Sequence, residues 1–141
     1  MKPDGTLPHG LVASASTLPP KETMDRLAAA VGRRGMTVLA RIDHAGAARA
    51  AGLDLRATEV LVFGNPKGGT PLMQSAQTAG IDLPLKALVW QDAEGRTWVG
   101  YNDPGWIAVR HGIADAPETI AAMRAALAAV VSEATKDEHP K

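Results

Sequence analysis

Apolar side chains recur along this chain at two spacings, and the switch between them marks out the elements. GLVASASTL alternates small polar and apolar residues, the period of a strand, and Pro19-Pro20 ends the extended run. In KETMDRLAAAVGRRG, Met24, Leu27, Ala28 and Val31 fall at helical spacing, one buried stripe that Gly35 stops. MTVLARID returns to apolar and β-branched residues and predicts a strand. HAGAARAAGLDL is weakly patterned; it predicts a short helix capped by Asp43 and stopped near Gly52. In TEVLVFG the large apolar residues Val60, Leu61, Val62 and Phe63 are consecutive, which predicts a strand buried on both faces.

TPLMQSAQTAG places Thr70 where an N-cap is wanted, Pro71 at the first helical position and Gly80 at the C-cap. LPLKALVWQD and RTWVGYND flank Ala93-Glu94-Gly95 and read as a hairpin. DPGWIAVRHG holds a short helical turn. DAPETIAAMRAALAAVVSEATK is the strongest helix, with Asp115 and Glu118 as a variant capping box and Ile120, Met123, Leu127 and Val130 as its stripe. The order β-α-β-(α)-β-α-β-β-α predicts a single α+β domain over residues 10–134: a mostly antiparallel sheet with helices gathered on one face. Residues 1–9 and 135–141 are expected to be flexible tails.

Composition narrows the function. The 141 residues are 45% hydrophobic and 21% charged, enough for one core. Lys plus Arg equals Asp plus Glu at 15 each, which argues against a general nucleic-acid binder. With no cysteine, thiolate metal sites and cysteine nucleophiles are ruled out. MKPDGTLPHG lacks the apolar segment of a secretory signal, and no apolar run is long enough to span a membrane, so a cytoplasmic protein without a membrane partner is expected.

Four places could carry chemistry. In VFGNPKGGTPLM, Asn65 and Lys67 follow a buried strand, the paired Gly68-Gly69 permit close backbone approach, and a helix N-terminus follows. Such a loop suits an anion or a carboxylate. It is not a nucleotide-binding P-loop, because Lys67 precedes the paired glycines. Lys86 lies inside an apolar strand and shares a face with Leu88 and Trp90, so it must snorkel, pair with an acid or face a pocket. Tyr101, Asn102 and Asp103 precede a Pro-Gly turn, which explains Asp103 by turn chemistry or places it at a pocket mouth. Among the histidines, His9 and His139 fall in the expected tails, and His44 follows a strand. None has metal-ligand spacing, and spacing leaves a Ser-His-Asp triad open. A haem axial pair of His111 with Met73 is a further cofactor candidate.

Taken together, FGNPKGGTPLM, DLPLKALVW and YNDP followed by RHG resemble the domain-of-unknown-function 302 family of bacteria and archaea, across about residues 10–132. The resemblance implies a β-α-β(4)-α core similar to TATA-binding-protein-like folds, and homodimers. It implies no reaction, and the fold alone does not imply DNA binding. It points to the residues already singled out: Asn65, Pro66, Lys67, Thr70, Pro71, Met73, Lys86, Asn102, Asp103 and His111, with Gly69 beside them. The first expectation is a module that binds or senses a small anionic or carbonyl-bearing molecule, its pocket shared by the 64–73 loop, the Lys86 face and the 101–105 turn. The alternatives are an enzyme using Lys86 or His111 with Asp103, a haem or redox protein at a dimer, and a structural homodimer without ligand.

Overall fold

The computed structural model describes residues 6–136. The strands are β1 (Leu11–Ser16), β2 (Thr37–Asp43), β3 (Thr58–Gly64), β4 (Leu85–Gln91) and β5 (Thr97–Asn102). They form one sheet in the order β1-β5-β4-β3-β2, and every neighbouring pair is antiparallel. The helices are α1 (Pro20–Arg33), α2 (His44–Ala50), α3 (Pro66–Ser75), α4 (Pro104–Arg110) and α5 (Pro117–Thr135), and Gln77–Ile81 makes a 3-10 turn after α3. The α+β class and the antiparallel sheet are as expected.

Alternation along the strands decides what α1 and α5 cover. Leu61 and Phe63 of β3, Leu85, Ala87 and Val89 of β4, and Val99 of β5 share one face. They close a core with Met24, Leu27 and Val31 of α1 and Leu127 and Val130 of α5. Burying each large aliphatic or aromatic side chain there contributes about 1.5–3 kcal/mol. Gly95 turns the β4–β5 hairpin with φ +84°, a conformation that disfavours any residue with a Cβ. α2 forms as expected, with the Asp43 carboxylate accepting the Gly46 N–H at 2.9 Å.

Three helix boundaries differ from expectation. α3 begins at Pro66, not at Thr70-Pro71, and Pro71 lies inside it. The sequence carries two successive cap-plus-proline signatures, Asn65-Pro66 and Thr70-Pro71. The first prevails because β3 ends at Gly64, paired with Thr37, and the chain must turn there. The same helix ends at Ser75, and the residues up to Ile81 tighten into the 3-10 turn that holds Gly80. α5 starts at Pro117 without a side-chain cap, because Asp115 instead accepts the Ser75 hydroxyl at 2.5 Å and tethers α3. Thr135 belongs to the domain, one residue past the expected boundary at 134: it is buried, and its carbonyl accepts the Thr17 N–H at 3.0 Å. Of the expected tails, 1–5 and 137–141, with His139, lie outside the described residues.

One buried polar cluster ties the hairpin down. Asp92 accepts the Trp98 indole N–H at 2.9 Å and the backbone N–H groups of Glu94 and Arg96, each at 2.9 Å. The Trp98 hydrogen bond, opposed by burial and reinforced by the bonds from Arg96 and Glu94, brings the Asp92 carboxyl down from 3.8 to about 2. A depressed folded-state value means that ionised Asp92 stabilises the fold fully above 3.8 and loses that contribution as pH falls towards about 2. Asp92→Asn removes the titration. The urea midpoints of wild type and this variant, measured down the acid range, are expected to differ most above the unfolded-state value and to converge below it. A gap independent of pH contradicts this assignment.

Candidate functional site

A cleft of about 970 Å³ opens at the end of the sheet where β3 leaves and β2 and β4 begin. Its walls are the first turns of α3, the segment Leu83–Leu85, the start of β2 and one flank of α5. The lining is mainly apolar, including Met36, Leu39, Met73, Leu83, Leu85 and Met123, and Leu39 is 58% exposed. Polar groups come chiefly from two helix starts: Asn65, Lys67 and Thr70 on α3, and Glu118 and Thr119 on α5. The size falls within the range of ligand pockets, and an apolar body with a few placed polar groups is their usual composition.

The VFGNPKGGTPLM stretch therefore lies against a cavity. Asn65 has a local role as N-cap of α3, accepting the Lys67 backbone N–H at 3.0 Å. The Lys67 side chain makes no ion pair among the described residues and lines the cleft. Gly68 and Gly69 are helical, and neither has positive φ. A Cβ on Gly68 would meet nothing within 4 Å, and one on Gly69 would make only ordinary contact, 3.7 Å from Leu83. Neither turn geometry nor packing requires glycine at either place. Both line the cleft, and their missing side chains widen it.

The other candidates are not gathered there. Leu85 lines the cleft, but Lys86, the next residue, alternates to the opposite face of the sheet, where its ammonium is exposed and donates to the carbonyls of Pro84 at 3.3 Å and Asp82 at 3.4 Å. Asn102 is exposed at the end of β5. Asp103 precedes α4 and takes a bidentate hydrogen bond from Arg124 of α5, at 2.8 and 2.9 Å. That bond, against the opposing effect of burial, holds the Asp103 carboxyl below the usual range.

His111 closes a separate clasp. Its Nδ1 lies 2.8 Å from the Thr78 hydroxyl and its Nε2 2.5 Å from Asp82. Asp82 also takes two hydrogen bonds from Arg110, at 2.8 and 2.9 Å. Burial pushes the Asp82 carboxyl up, but the His111 hydrogen bond and the Arg110 charge outweigh it and hold it low. With both ring nitrogens engaged, His111 offers none to a haem iron, so a pair with Met73 does not fit this geometry. Among the described residues no group of His, Asp and Glu side chains could hold a metal ion.

Sequence reasoning missed Leu39, Met123, Glu118 and Thr119 as cleft residues, Thr78 and Asp82 as His111 partners, and Arg110 as a second partner of Asp82. No local signature assigns them to these groups, since the cleft and the His111–Asp82 contact each join elements distant in the chain. Two substitutions separate capping from cavity-making in α3. Asn65→Ala is expected to lower stability by about 1 kcal/mol through the lost cap. Gly68→Ala is expected to raise it by roughly 0.5–1 kcal/mol, since the helix gains a better former and nothing clashes. Urea unfolding measures both, and a destabilised Gly68→Ala rules out a glycine free of steric demand.

A protein of Brucella suis biovar 1 (strain 1330) named fluoride-specific ion channel FluC 1 is 47% identical over 104 residues, 74% of this chain and 41% of that protein. The Brucella abortus biovar 1 (strain 9-941) protein of the same name is likewise 47% identical over 104 residues, 38% of its length. The chain thus spans about two fifths of the curated relatives it matches. The crystal structure of an uncharacterized DUF302 protein from Bacillus stearothermophilus superposes with a TM-score of 0.80, covering 92% of this chain and 100% of that one. At 22% identity, that likeness is one of fold. No helix among the described residues is long and apolar enough to cross a membrane. The family model described as domain of unknown function DUF302 matches residues 12–130, and the chain belongs to that family.

Proposed function

We propose that this domain binds or senses a small molecule with an apolar body and one anionic or carbonyl end, held in the cleft beside α3. The observation that carries this reading is the pair Gly68-Gly69: two helical glycines that the backbone does not require, both lining the cleft beside Lys67. A helix normally excludes such residues at a cost of roughly 0.5–1 kcal/mol each. Open space against a ligand accounts for them where local stability does not.

The lining sets the ligand class. Met36, Met73 and Met123 are flexible and polarizable, and adapt to an irregular apolar body. Lys67, which makes no ion pair among the described residues, favours a carboxylate, sulfonate or polarized carbonyl at one end, and the positive end of the α3 dipole adds to this. The relatives named as fluoride channels contain a segment like this one within much longer chains, which supports a binding module over a self-contained enzyme. Fluoride itself is a poor match for the cleft, because a small, strongly hydrated anion gains nothing from methionine and leucine walls.

The test uses anilinonaphthalene sulfonate fluorescence with decanoate as competitor. Saturable binding that decanoate displaces is expected. Leu39→Glu and Lys67→Glu should each weaken it by about tenfold or more, a loss of about 1.4 kcal/mol. Lys86→Ala, on the opposite face, should leave it unchanged. Absence of saturable binding, or binding indifferent to Leu39→Glu and Lys67→Glu, overturns the proposal.

A further inference from the structure

The clasp at His111 is more than a tether requires. Arg110 already holds Asp82 with two hydrogen bonds, at 2.8 and 2.9 Å. His111 adds a second partner and carries the contact on to a hydroxyl. Its Nε2 lies 2.5 Å from Asp82 and its Nδ1 2.8 Å from Thr78 Oγ1. An ionised carboxylate only accepts, so Nε2 holds the proton of the neutral imidazole. Nδ1 is then the acceptor, and the Thr78 hydroxyl donates to it. A hydroxyl, a base within hydrogen-bond reach and a carboxylate that orients the base are the parts of an activated nucleophile.

The three groups are graded in exposure. The His111 and Asp82 side chains are 7% and 11% exposed, whereas Thr78 is exposed. Water is thus kept from the base while the hydroxyl stays open to a substrate. Local structure produces this arrangement. Gln77–Ile81 is a 3-10 turn, in which side chains three apart eclipse one another. Ile81 therefore shares a face with Thr78, and it is 72% exposed. Asp82 is the C-cap of the same turn. Gly112, at φ +67°, turns the chain after α4 and leaves His111 as the C-cap of that helix. A second cation besides Arg110 borders Asp82: the Lys86 ammonium donates to its carbonyl at 3.4 Å. Thr78, Ile81, Asp82 and His111 do not line the cleft beside α3, so the two places are separate.

We propose that Thr78, His111 and Asp82 form an acyl-transfer site that hydrolyses small carboxylic esters with a short apolar acyl chain. Thr78 Oγ1 attacks the ester carbonyl carbon as its proton passes to His111 Nδ1. The alkoxy oxygen takes that proton as its bond to the carbon breaks, and the alcohol leaves. Water then attacks the acyl group on Thr78 and gives its proton to Nδ1. The acid is released and Thr78 recovers a proton, so ester and water give acid and alcohol. Asp82 is a positioning residue: it fixes the tautomer and stabilises the imidazolium between the two transfers. Ile81 offers the acyl chain an apolar contact. The neighbouring Arg110 and Lys86 cations favour the oxyanion of each tetrahedral intermediate.

The test supplies the full chain with p-nitrophenyl butyrate and follows release of p-nitrophenolate. Turnover above the buffer rate is expected. Thr78→Val keeps the shape and removes the hydroxyl, and should lower kcat by about a hundredfold or more, while Thr78→Ser stays active. Asp82→Asn should lower kcat with KM little changed, since it releases the tautomer without touching the ester. His111→Gln keeps hydrogen-bonding atoms but no base, and should be inactive; if it fails to fold, Thr78→Val, at an exposed position, decides alone. A wild type without turnover overturns the proposal. So does turnover that survives Thr78→Val, as direct attack by a lysine or an imidazole would.

Discussion

The packing of α1 and α5 onto one face of a five-stranded antiparallel sheet organises everything else in this molecule. Leu61, Phe63, Ala87, Val89 and Val99 reach full or nearly full burial only because Leu27, Val31, Leu127 and Val130 close over them. That layer is where most of the apolar area leaves water, and hydrophobic burial dominates the favourable side of folding. Around it the chain uses ion pairs and hydrogen bonds as tethers. Asp103–Arg124 fixes α4 to α5, and Ser75–Asp115 fixes the end of α3 to the approach to α5. The His111–Asp82–Arg110 clasp ties the end of α4 to the segment before β4.

The cleft is a consequence of that layer ending. Beyond the paired Thr37 and Gly64, α3 swings away beside α5, and the space between them and the sheet end is left unfilled. Tightly packed interiors leave few voids larger than a water molecule. A cavity this size, edged by residues without side chains, is therefore informative. Its polar side chains come chiefly from the starts of α3 and α5.

Much of the architecture was legible in local pattern. The stripe Met24, Leu27, Val31 named α1 and its buried face, and Ala93-Glu94-Gly95 named the hairpin. Asp43 and Gly52 marked the ends of a weakly patterned helix. Caps were less legible. Asn65-Pro66 and Thr70-Pro71 carry the same signature, and choosing between them requires the strand pairing that ends β3 at Gly64. Asp115 sits at a fitting spacing for a capping box, but a serine forty positions away takes its carboxylate.

By itself, then, the sequence determined which segments are helix and strand, though not every boundary, and the two-sided apolar character of β3, because helical and strand periods are written in neighbouring residues. It also placed the Asn65–Met73 stretch directly after a strand end, where the structure begins α3 at Pro66. Only the tertiary structure decided which functional candidates share a space. Lys67, Gly69, Thr70 and Met73 meet at the cleft, Lys86 turns to the other face by the alternation of a single residue, and Asp103 and His111 are held by partners far along the chain. The reason is physical: which side of a sheet its helices cover, and which distant carboxylate an arginine reaches, depend on long-range packing and not on the residues beside them.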